Sequence, residues 1–163
     1  ALAQKGEHIP MIAPAGGFTF EDHMFKALAL GAPFAGMVTM ARGPLCAAMV
    51  GKTIGLKVQQ GDIPVYIERF GNTAKEIFVT TPELRKHYGA DFDAMPTGAI
   101  GVYTYFERLA QGLRQLMAGE RKFNLSVLSR DDIASLTPEC AKISGIPHIM
   151  DVDKAESEAI ING

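Results

Sequence analysis

The feature that most restricts how this chain folds is the sequence Ala15-Gly16-Gly17, which joins an apolar run, Ile9 to Ala15, to a segment with helical spacing. An apolar run of that length without alternation reads as a parallel strand buried on both faces. Two glycines at its end permit the tight backbone reversal that side chains resist. Thr19 and Asp22 have the spacing of a capping box, and Phe20, Met24, Ala27 and Leu28 then recur at helical intervals up to a C-cap at Gly31. Phe34 to Met40 forms a second apolar run, after which Arg42-Gly43-Pro44 turns the chain into another helical segment, Leu45 to Val50. Strand, helix and strand with so short a crossover predict a right-handed βαβ unit. Charge supports its burial, since only Glu21, Asp22, Lys26 and Arg42 are charged between His8 and Val50.

Further along, Gly51 to Phe78 follows no single period and receives no assignment. Thr81-Pro82-Glu83 supplies an N-cap, a proline in the first turn and an acid, so a helix is expected to open there and to end near Gly89. The longest helical pattern runs from Ile100 to Met117, with Val102, Phe106, Leu109, Leu113, Leu116 and Met117 on one face and Gly119 beyond it. Ser129 to Asp132 has capping-box spacing, Thr137-Pro138-Glu139 repeats the helix-start pattern, and Gly145-Ile146-Pro147 stops that helix. The acidic residues near the end predict a solvated tail or a short surface helix.

Composition narrows the functional classes. Of 163 residues, 47% are hydrophobic and 21% charged, which excludes disorder for most of the chain. Sixteen basic and eighteen acidic residues leave a net charge of −2, so nucleic acid and anionic membrane surfaces are not expected partners. A single phosphate is a different matter, because a few backbone amides and one cation hold it locally. Cys46 and Cys140 are too few and too distant for a disulfide framework or a four-ligand zinc site. No run approaches the length of a membrane span, and the first ten residues lack the pattern of a signal peptide. A cytoplasmic protein is the expectation.

Two turns carry candidate chemistry. Gly16 and Gly17 let backbone approach a ligand closely, and the helix that follows presents free amides and partial positive charge. The alternative is a tight turn without a ligand. In a parallel arrangement Ala41-Arg42-Gly43 emerges on the same edge, where Arg42 either chelates phosphate oxygens bidentately or covers a helix end at the surface. His8, His23, His87 and His148 have no metal-ligand spacing, and Asp131-Asp132 and Asp151-Val152-Asp153 are accounted for by a cap and a solvated end. Tyr103, Tyr105 and Phe106 either stack on a ring or base or pack on a core, and the core is the expectation for aromatics at a helix start. No metal site and no catalytic acid or base is assigned.

The run Ala15 to Thr19, with Asp22-His23-Met24-Phe25-Lys26-Ala27-Leu28-Ala29-Leu30-Gly31-Ala32, resembles strand seven and helix seven of FMN-dependent (β/α)₈ barrels, and Phe34 to Arg42 resembles strand eight. Thr97 to Tyr105, Gly112-Leu113 and Leu116 to Phe123 resemble the region after the barrel in FMN-binding glutamate synthase family proteins. The resemblance extends over positions 8–150. It implies an α/β chain: the last two βα units of a TIM-type barrel over residues 1–55, a mixed, mainly helical extension over 56–150, and an acidic tail over 151–163. It also implies that Gly16, Gly17, Ala41, Arg42 and Gly43 bind the FMN phosphate. The implied reaction reduces a 2-imino acid, formed from 2-oxoglutarate and ammonia, to glutamate.

Some positions depart from the family. Ala15 and Thr19 stand where many relatives have an acid and a basic residue, and Cys46 is alone where glutamate synthases carry three cysteines that hold an iron–sulfur cluster. A complete barrel takes about 250 residues. The chain is therefore expected to be the C-terminal part of a longer flavoprotein, with the rest of the barrel or a companion chain as partner, a small-molecule substrate and an electron-donor protein. The alternative expectation is a phosphate-binding or assembly module with no flavin chemistry.

Overall fold

The computed structural model describes residues 3–163 and overturns the α/β expectation. The chain is 62% helical with 4% strand, and no sheet forms among the described residues. It is mainly helical and is not a fragment of a TIM-type barrel. The two expected strands are reduced to isolated parallel bridges, Ile12 with Ala35 and Ala15 with Thr39. The physical reason lies in their surroundings. Parallel strands persist where both faces are covered and neighbours extend the ladder, whereas Met11 and Ile12 are 65% and 54% exposed.

Eight α-helices occur among the described residues: α1 (Glu21–Gly31), α2 (Arg42–Gln60), α3 (Val65–Glu68), α4 (Ala74–Ile77), α5 (Thr81–Tyr88), α6 (Thr97–Gly119), α7 (Pro138–Ser144) and α8 (Lys154–Asn162). Part of the predicted punctuation recurs here, but Thr81 lies inside α5, whose N-cap position is Thr80 and has no side-chain cap hydrogen bond. α5 gives way at Gly89, and α7 opens with Thr137 Oγ1 accepting from Cys140 N and closes on a left-handed Gly145. The acidic end forms the exposed helix α8. α1 begins at Glu21, and Asp22 pairs with Lys26 one turn on at 2.8 Å.

The described chain divides into two compact units. One contains residues up to Pro14, Asp22–Val38 and Leu116–Gly163. It buries Phe25, Leu28 and Ala29 from α1, with Met117, Leu128 and Ile146 from later segments. Lys122 Nζ bonds both carboxylate oxygens of Asp132, at 2.7 and 2.8 Å, and the Val127 carbonyl at 2.9 Å. Asp132 also closes the Ser129 capping box that the spacing predicts.

The other unit contains Ala15–Glu21 and Thr39–Gln115. Its core joins Phe78, Leu84, Phe92 and Ile100, flanked by Ile54, Ala74, Met95 and Tyr103. Leu109 is buried as well, while Phe106 of the predicted apolar stripe is 43% exposed. α2 continues into the stretch left unassigned as far as Gln60, with Gly51 and Gly55 facing α6. A Cβ on Gly51 would lie 2.6 Å from the Thr97 carbonyl oxygen and 3.1 Å from Gly101 Cα, and one on Gly55 would collide with the Thr97 side chain. Small residues at this crossing let the two backbones meet.

Candidate functional site

The site is a cavity of about 780 Å³ within this second unit. Its floor and walls follow from three pieces of chain. The first is the loop Ala15 to Thr19, in which Gly16 and Gly17 have φ of +98° and +77°. That left-handed region strains a side-chain-bearing residue, and the space where a Cβ would stand is open at both positions. The second piece is Thr39 to Gly43, held beside the loop by the Ala15–Thr39 bridge. The third is one face of α2, Cys46, Ala47 and Val50, with Tyr105 of α6.

All five residues assigned from the sequence, Gly16, Gly17, Ala41, Arg42 and Gly43, line this one cavity. The two turns meet although the strands leading into them are only bridges. Arg42 and Gly43 open the 19-residue α2, whose N-cap position, Ala41, provides no side-chain hydrogen bond and whose first turn has no acid. The amides of Arg42 and Gly43 therefore present the helix's partial positive charge without competition from a carboxylate. Pro44 contributes no amide. Arg42 is exposed and enters no ion pair among the described residues. It is the charged residue of the wall.

Sequence reasoning missed the remaining lining residues to different degrees. Cys46, Ala47 and Val50 stand three, four and seven residues after Gly43, so the helical period beginning at Arg42 contained that signal. Tyr105 carried only the alternative of ring stacking, with no signal of a hydrogen bond to the loop. Expected on a core, it reaches the cavity instead, where its hydroxyl donates to the Thr19 carbonyl at 2.5 Å and lies 4.0 Å from Met40 Sδ. Desolvation, then the neighbouring Cys46 and Glu21, hold its phenol above the usual range. His23 does not line the cavity.

The arrangement provides amide donors, one guanidinium and a largely apolar wall of Phe18, Met40, Ala47 and Val50. Chemically it suits a ligand with one anionic end and an apolar body. Compared with family models, curated proteins and solved structures, the chain finds no match. Among the described residues, no helix is long and apolar enough to cross a membrane.

Proposed function

We propose that the cavity holds the phosphate end of FMN and that the chain is part of an oxidoreductase of the glutamate-synthase type. One observation carries this reading: two glycine-containing turns about 25 residues apart and Arg42 converge on a single cavity. The residues fit the group. Gly16 and Gly17 hold a left-handed turn that lets backbone approach the group, the amides of Arg42 and Gly43 point partial positive charge at it, and the Arg42 guanidinium chelates phosphate oxygens. The cavity volume lies in the usual range for small-molecule and cofactor sites.

Bound flavin supplies the two electrons that reduce a 2-imino acid to the amino acid. That imine forms from 2-oxoglutarate and ammonia with loss of water, and two electrons and two protons convert it to glutamate. The chain's own residues bind and orient. Titratable side chains in the wall are Arg42, Cys46 and Tyr105, and in this reading a companion chain supplies the remaining substrate-binding groups. A cytoplasmic location, where Cys46 and Cys140 stay free thiols, and an electron-donor protein complete the proposal.

The same scarcity of titratable groups favours a second reading, a phosphate-binding or assembly module with no flavin chemistry. Titrating the protein with FMN and following the flavin fluorescence separates the two. Saturable uptake that leaves a yellow protein after gel filtration is expected. A colourless protein that binds inorganic phosphate but no flavin sinks the first reading and supports the second.

A further inference from the structure

The geometry points to Tyr105 as the positioning residue that makes this cavity prefer a phosphorylated ligand over its dephosphorylated form. The inference rests on the phosphate-cradle reading and adds to it the residue that fixes the width of the cradle. A phosphate held between amides of two separate turns needs those turns at a set separation. Glycine at Gly16 and Gly17 makes the first turn intrinsically loose, and the Ala15–Thr39 bridge ties one end of it. Tyr105 supplies the tie at the other end. Its hydroxyl bonds the Thr19 carbonyl, past the glycines, and the same oxygen lies 2.5 Å from where a Cβ on Gly43 would stand, against the first turn of α2. One phenol thus touches both turns. Phe106 packs edge-on against the ring, with centroids 5.7 Å apart and planes at 62°, and α6 provides the rigid base. A phenol keeps its donor proton through neutral pH, and desolvation here raises its pKa further.

The test compares FMN with riboflavin, which differs by the phosphate alone, in the wild type and in Tyr105→Phe. The wild type is expected to prefer FMN. Loss of one hydroxyl should cut that preference by about tenfold, the upper end for a single neutral hydrogen bond. Amide hydrogen exchange in ligand-free Tyr105→Phe should speed up at Gly16 to Thr19 while α6 stays protected. Phe106→Leu, which removes the ring packed against the phenol without changing a wall residue, should lower the preference as well and decides the matter if Tyr105→Phe does not fold. An unchanged FMN-to-riboflavin ratio, or equal weakening of both ligands, overturns the role of Tyr105 and leaves the phosphate cradle standing. A wild type that binds both ligands equally, or neither, overturns the cradle reading and this inference with it.

Discussion

Arg42 shows how much one residue's environment decides its use. An exposed arginine at a helix start is ordinarily a surface group with little energetic consequence. Here it stands beside two helix amides and opposite a loop whose glycines leave open space, with no carboxylate in the first turn to occupy it. Arg42→Ala is expected to weaken FMN binding by about 1.5 to 3 kcal/mol, the range for a hydrogen bond to a charged group. A fluorescence titration reads that change, and unchanged affinity would return Arg42 to a surface role. The site was legible in the sequence to the extent that local chemistry defines it: the glycines, Arg42 and the order of turn and helix are all written in adjacent positions. Tyr105 was not, because its partner at Thr19 lies 86 residues away and no local pattern records so distant a contact.

At the scale of elements, caps were easy to read and packing was not. Thr137, Ser129, Gly89 and Gly145 act where their side chains or backbones bond neighbours three or four residues off, so spacing alone reveals them. Gly51 and Gly55 look like helix breakers by the same local logic, yet both lie inside α2 because the contact with α6 outweighs their propensity. Gly51→Val is expected to destabilise the unit by about 1 to 3 kcal/mol through overpacking, since the facing atoms are Thr97 and Gly101 backbone and cannot move aside as a side chain would. Urea denaturation followed by circular dichroism measures this. Glycine placed for close approach is indistinguishable in sequence from glycine placed for a turn, which is why α2 was foreseen only as far as Val50.

For the molecule as a whole, the apolar runs at Ile9 to Ala15 and Phe34 to Met40 gave the wrong class. Their composition suits buried strands, but burial depends on what surrounds them, and in this fold they are exposed or half-buried and bridge at single points. Whole-molecule stability should also depend on pH at both extremes. Tyr103 and Tyr105 have phenols raised above the usual value near 10, both chiefly by desolvation. The folded state therefore keeps protons that the unfolded state releases, so the stabilisation is complete below that value and falls as pH climbs beyond it. Asp22, bonded to Lys26, and Glu76, which accepts first from the Asn72 amide and then from Thr73, have lowered carboxyl pKa values. Their contribution is present above the ordinary carboxylate range and disappears on acidification. Urea midpoints across the pH scale should trace a plateau with a decline on each side, and a flat alkaline limb would contradict the placement of the two tyrosines. The Thr19–Tyr105 hydrogen bond has a kinetic consequence too. Closing so long a stretch of chain comes after the local helices have formed, so during synthesis the cavity is completed only once α6 has left the ribosome, and a ligand arriving earlier meets two turns that lack the Tyr105 tie.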